Sequence, residues 1–232
     1  VERDDNRERP EDPRQDYSYD ARYFGIGSRG EWTPRWPYWV EAIRETGHSR
    51  EDLTSAKSNI SAWDFNAEQR YMTGLPSGMM FTVQAAAGSG DNDRQDAVNT
   101  LYGNAGGRDH GFVHFGYLPT GIVLNPCLSN LRMLRAGINV NPFFKIKAMR
   151  SFWMGIDFFR YWKDRPQGGI SDLEASNADR DIGQEVDLRA DWWVNSRVLI
   201  SAEWGVFMPG KAYAPGRDEK SEVVSVSLSL MF

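Results

Sequence analysis

The residue types that most often do chemistry are sparse in this 232-residue chain. His110 and His114 stand four apart in a Gly-rich stretch rather than on a helix, so they lack the spacing that aims two imidazoles at one zinc ion. With His48 they read as surface histidines. Cys127 is the one cysteine, which excludes an internal disulfide framework or a zinc site on paired cysteines. No Gly-x-Ser-x-Gly motif is present, and Ser151 has no evident base beside it. No Cys-x-x-Cys-His occurs, so no c-type haem is expected. Asp91-Asn92-Asp93 resembles the opening of a calcium loop but lacks its glycine and distal glutamate. The expectation is a protein without catalytic residues, metal or cofactor.

Charge and composition narrow the class. Lys and Arg total 27 against 32 Asp and Glu, a net charge of -5 that argues against a nucleic-acid partner. The chain is 13% aromatic yet polar on average, with a mean hydropathy of -0.57. It opens at Val1 on an acidic-basic run with no apolar signal region, so a mature, processed or partial chain is expected. Two uncharged stretches, Tyr71 to Gly90 and His110 to Leu131, reach the length of a membrane helix, but Gly and Pro break both. A soluble β-sandwich and a membrane β-barrel remain.

The pattern that positions any functional residue has period two. In Gly183 to Asn195, Val186, Leu188, Ala190, Trp192 and Val194 alternate with Glu185, Asp187, Arg189 and Asp191. Strict alternation of charge suits a strand with one apolar and one wet face. Asn195-Ser196 reads as a tight hairpin, followed by strands over Arg197 to Met208 and Glu222 to Phe232. Weaker alternation predicts strands around Trp63 to Tyr71, Met79 to Ala87 and Leu134 to Val140. A long strand is expected over Phe143 to Trp162, with a bulge or phase change where Arg150 falls on the apolar face. Tyr17 to Trp32 and Tyr38 to Thr46 complete about nine strands.

Short links near Pro34, Pro76, Pro142 and Asn195-Ser196 alternate with long polar links, as periplasmic turns and extracellular loops do in outer-membrane barrels. Residues 1–16 are expected as an extracellular loop or linker. Residues 17–232 are expected to supply barrel strands, with extracellular loops at 47–58, 88–128, 163–182 and 209–221. Trp32, Trp36, Trp39, Tyr71, Phe143, Phe144, Trp192 and Phe232 fall near the short-turn ends, as an interfacial girdle would. The fold class is therefore all-β, an antiparallel transmembrane barrel. Nine strands are odd and would leave two edges facing lipid, so the chain reads as about half of a larger barrel. Upstream sequence or a second chain would complete it.

The C-terminal residues carry a resemblance. Ile182 to Leu188, then Gly205-Val206-Phe207-Met208-Pro209-Gly210, resemble the closing strands of the alginate-export family of outer-membrane barrels. Leu101-Tyr102-Gly103 to His110, then Phe115-Gly116-Tyr117, is similar to that family's long-loop motif, with Gly103-Asn104 in place of its Pro-Thr pair. The resemblance spans roughly Ser58 to Phe232. It implies an eighteen-stranded, porin-like barrel in the outer membrane of a Gram-negative-type bacterium, of which nine strands are the C-terminal half. It also implies passive export or diffusion of an anionic, alginate-like polysaccharide or another polar solute, with outer-membrane lipid and a periplasmic export complex as partners.

In that family, basic residues at a constriction attract the polymer. Basic candidates on the inward phase here are Arg70, Arg135, Lys145, Lys147 and Arg189. Acidic residues on the same phase are Asp64, Glu68, Asp157, Glu185, Asp187, Asp191 and Glu203. Such a mixture either forms a local selecting ring or pairs across strands and selects nothing. A loop such as Gly88 to Leu128 could fold in as a gate. The competing readings are a barrel that sheathes or scaffolds a partner, and a lipid enzyme acting at the barrel rim.

Overall fold

The computed structural model describes residues 2–5, 17–51, 56–94, 96–98, 104 and 106–231. They form one ten-stranded antiparallel sheet in which every strand pairs with its neighbours in sequence. The strands are β1 (Glu2–Asp5), β2 (Ser18–Glu31), β3 (Pro37–Arg50), β4 (Ser58–Met72), β5 (Met80–Gly88), β6 (Leu131–Val140), β7 (Phe152–Lys163), β8 (Asp181–Asn195), β9 (Val198–Pro209) and β10 (Ser221–Leu230). The nine strands from β2 to β10 answer to the nine expected ones. The sheet is open, with β1 and β10 at its edges.

The strands differ from expectation in three places. Glu2–Asp5, inside the segment expected as a loop, pairs with Ser18 to Ala21. This makes the count ten and removes the odd parity from which a half-barrel was argued. β3 runs on to Arg50 through Gly47, whose φ is 151°. A Cβ at Gly47 would stand 1.9 Å from the Asp20 carbonyl oxygen, so glycine alone lets the two backbones approach there. The long strand over Phe143 to Trp162 is absent from its first half. Residues 141–151 form a connection containing one turn of 3-10 helix at Lys147–Met149, and β7 begins at Phe152. The Asn141 amide binds it by donating to the carbonyls of Met149 and Arg150 and accepting from the Phe143 N–H. Arg150, Ser151, Lys145 and Lys147 therefore lie outside the sheet.

Register assigns the faces. Tyr71, Phe81, Ile138, Ile156, Leu188, Trp204 and Val224 stand directly opposite one another in one row from β4 to β10. The next row on the other face reads Arg70, Thr82, Gly137, Asp157, Asp187, Gly205 and Val223. The burial of the two faces is inverted relative to a water-soluble sheet. Val224 and Val226 on the apolar face are 73% and 74% exposed, whereas Asp64, Glu185 and Asp187 on the polar face are 5%, 0% and 5% exposed.

The core lies between the polar face and the long connections laid on it. Phe112 and Val113 pack on Tyr19, Ala21, Ile60 and Ala62. Leu118, Leu128, Ile170, Ala175, Ala212 and Tyr213 pack on Met133, Phe159, Tyr161 and Phe207. Of the expected girdle, Trp32 stacks on Tyr38 at 4.5 Å, Trp36 lies tilted against Tyr71 at 4.7 Å, and Phe143 lies 5.2 Å from Phe152. Trp39 instead stands opposite Glu68, on the polar face. Phe232 and the Leu101-Tyr102-Gly103 segment lie outside the described residues.

Candidate functional site

Ten of the twelve expected site residues stand on strands, and all ten share the polar face. Asp64, Glu68 and Arg70 come from β4, Arg135 from β6, Asp157 from β7, Glu185, Asp187, Arg189 and Asp191 from β8, and Glu203 from β9. The pleat sends alternate side chains to one side, and the pairing aligns those sides. Lys145 and Lys147 are exposed in the β6–β7 connection and join no other member of the set.

The three strand arginines are each held by a carboxylate. Arg135 Nε lies 2.7 Å from Asp157 Oδ1, Arg189 Nε 2.8 Å from Glu203 Oε1, and Arg70 Nε 2.7 Å from Glu68 Oε1. Asp191 accepts a 2.6 Å hydrogen bond from Ser201 Oγ. These three arginines are therefore paired, and with seven carboxylates against three arginines the ten residues leave this face acidic.

The connection between β5 and β6 is folded onto this face and fastened there. Its backbone N–H groups at Ile122 and Val123 donate to Glu185 Oε1, both at 2.7 Å, and that of Leu124 donates to Oε2 at 2.9 Å. Ile122 N–H also reaches Asp187 Oδ2 at 3.0 Å. Three successive amides around one carboxylate form an anion-binding nest, here with the anion built into the sheet. Tyr161 adds a 2.6 Å hydrogen bond from its hydroxyl to the Thr120 carbonyl. Gly121 takes φ 127° beneath, where a Cβ would lie 2.6 Å from both Glu185 Oε1 and Tyr161 Oη. Gly205 on β9 leaves the space that Val123 fills, since a Cβ there would meet Val123 Cγ2 at 2.7 Å.

A second fastening lies toward β2 and β3. Glu45 is fully buried, accepts from the Tyr19 hydroxyl, and accepts the Val113 N–H at 3.1 Å. Asp109 is fully buried as well, 2.8 Å from Arg94 Nη1 and 3.0 Å from Ser49 Oγ. Asp109 N–H donates to the Asn59 carbonyl and Ser61 N–H to the Asp109 carbonyl, so this segment extends the sheet along β4 above the end of β5. The neighbouring long connections join in. Lys163 Nζ donates to the carbonyls of Ala175 at 2.6 Å and Asn177 at 2.9 Å, and Tyr213 hydroxyl to Asp172 at 2.7 Å.

Residues 91–93 brace the same connection. Asp91 accepts the His110 N–H at 2.7 Å, and Asp93 accepts from Asn104 Nδ2 at 2.9 Å and from the Gly106 N–H at 3.2 Å. Burial, then the hydrogen bond and charge of Asp91, push the Asp93 carboxyl up to about 6. Burial also raises the Cys127 thiol above its ordinary value. His48 stands exposed on β3, His110 Nδ1 is 3.1 Å from the Ser61 carbonyl, and His114 is partly buried 3.8 Å from Asp64.

Sequence reasoning placed Glu185 on the correct face but in open water, whereas it is buried under the loop. Glu45, Arg94 and Asp109 were not singled out, because their partners lie far away in sequence and none belongs to a short motif. One signal was available: Glu45 shares the phase of Ile43 and Gly47, on the face opposite Arg44.

One exposed apolar face, one charged face and long connections folded onto the charged face define the class as an all-β, up-and-down antiparallel sheet. The chain belongs to the alginate export family, whose profile matches residues 1–227. The match extends upstream of the resemblance seen from Ser58 onward. Comparison with individual curated proteins returns no match.

Proposed function

We propose that this sheet is part of the wall of a porin-like outer-membrane channel through which an anionic polysaccharide or another polar solute passes passively. The family carries a role in polysaccharide export and an outer-membrane location, and its proteins transport rather than catalyse. The observation that carries the proposal is the inverted burial. A row of large apolar side chains faces outward on every strand from β4 to β10, while charged residues lie inside. In water such an exposed face would aggregate, and in a bilayer it is the lipid-facing side. In a bilayer the edges at β1 and β10 must be paired, with each other or with further strands, because a bilayer tolerates no open edge. No chemistry is required. A hydrated, charged lumen lowers the barrier to crossing, and the β5–β6 connection narrows it.

Purified full-length protein in a planar bilayer tests the reading. Stepwise conductance reduced by added anionic oligosaccharide is expected. A protein that inserts and conducts nothing would instead be a sheath around a partner.

A further inference from the structure

We propose that the apolar face carries, at its long-loop end, a binding site for the phosphate groups of an outer-leaflet glycolipid, formed by Arg22, Arg44 and Arg108. The proposal rests on the outer-membrane reading above.

The three arginines converge from separate elements on a pocket of about 440 Å³. Arg22 comes from β2 and Arg44 from β3. Arg108 comes from the segment that extends the sheet beside β4, where the Ile60–Asp109 bridge buries Asp109 on the inner side. The pocket straddles the boundary of the apolar band. Phe24, Arg44 and Trp63 stand opposite one another in one row, and Arg22, Thr46 and Ser61 form the next row toward the long loops. Arg44 thus leaves the sheet at the level of two exposed aromatics, yet its guanidinium donates to Ser61 Oγ at 2.6 Å, one row up. That is the snorkelling expected of a cation at the lipid–headgroup boundary.

Charge pairing sets these three arginines apart from Arg132 and Arg160. On the same face, Arg132 is held by Asp164 at 2.6 Å and Arg160 by Asp181 at 2.7 Å. Arg22, Arg44 and Arg108 have no carboxylate partner among the described residues. Asp20 and His48 also line the pocket, and Asp20 offsets one of the three positive charges. Two positive charges in excess, on planar donors suited to bidentate contact, at headgroup depth, match a phosphomonoester. Beside it on the same face runs a groove of about 620 Å³, floored by Ala85 and Ala87 between Phe65 and Leu134. An extended acyl chain fits there, so the pair of features favours a phospholipid-like ligand over a free anion.

The full-length protein, delipidated in detergent, is titrated with bisphosphorylated lipid A, with dephosphorylated lipid A and with inorganic phosphate, and its conductance is measured in parallel. The wild type is expected to bind lipid A, to bind the dephosphorylated form at least tenfold more weakly, and to retain lipid A in millimolar phosphate. Each Arg→Gln change at 22, 44 or 108 should weaken lipid A binding about fivefold, the worth of one basic residue near an anionic surface. Arg160→Gln, whose charge is already paired with Asp181 and which lines neither pocket nor groove, should leave it unchanged, and conductance should persist in all variants. Equal binding of the two lipid forms, displacement by inorganic phosphate, or wild-type affinity in the triple variant would overturn the site. A protein that conducts but fails these tests loses only the lipid site. One that shows arginine-dependent lipid binding without conductance loses only the channel reading.

Discussion

Glu185 and Val123 lie 62 residues apart in sequence, and the carboxylate of the first accepts the backbone N–H of the second at 2.7 Å. With the amides of Ile122 and Leu124 on the same carboxylate, this contact decides where the β5–β6 connection sits. A charge that the alternating pattern offers as channel lining is spent on holding a loop across the face that would be the channel.

Replacing Glu185 with Gln should release that loop. The amide keeps one acceptor oxygen and turns an NH2 group toward backbone donors, so at least one buried N–H loses its partner. The loss of charge-assisted hydrogen bonds should weaken the docking by about 2–3 kcal/mol. Hydrogen exchange at Ile122 to Leu124 should accelerate and single-channel conductance should rise. Unchanged exchange and conductance together would show that the carboxylate does not hold the loop.

Gly121→Ala reaches the same joint from the other side. The new methyl would lie 2.6 Å from Glu185 Oε1 and Tyr161 Oη, on a backbone whose φ is 127°. Strain of about 1–3 kcal/mol is expected, with the phenotype of the Glu185 variant. Because both changes break one joint, the double variant should cost clearly less than the two singles added. Full additivity in a stability measurement would separate them.

The period-two pattern made the faces legible because each polar strand position sits between apolar ones. Ten charged residues expected on one phase do share one face of the sheet. The failures have local causes. Phe143 to Met149 is apolar enough to mimic a strand, and only the Asn141 side chain reveals the turn it ties. Glu2–Asp5 has no alternation and joins the sheet through its backbone. The loop fastenings at Glu45, Asp109 and Glu185 were hidden because a carboxylate's contacts with amides, a hydroxyl or a guanidinium elsewhere in the fold leave no spacing in the sequence.

Arg135 and Arg189 separate stability from selectivity. Arg135 and Asp157 are both mostly buried, at 15% and 16% side-chain exposure, and Asp157 stands opposite Asp187. Arg135→Ala would leave two carboxylates facing each other without a cation, at a cost of about 3 kcal/mol. Arg189 and Glu203 are 53% and 31% exposed, so Arg189→Ala should cost no more than about 1 kcal/mol. Both variants should move the reversal potential in a salt gradient toward cation preference. An unmoved reversal potential in both would mean that neither arginine faces the conduction path.

The Asp91–Asp93 turn gives the β5–β6 connection a pH dependence of definite sign. Asp93 titrates at about 6 in the folded loop, above the ordinary carboxylate value, because of burial and the neighbouring Asp91. The folded loop therefore favours the protonated form. Its contribution is complete below the unfolded pKa of about 3.9 and is lost as pH rises through about 6. Protease cleavage within residues 91–106 should be slower at pH 4.5 than at pH 7.5 by more than the protease's own pH profile explains. Asp93→Asn keeps an acceptor for the Gly106 N–H and removes the titration, so it should flatten the difference. An Asn variant with the wild-type pH profile would place the titration elsewhere.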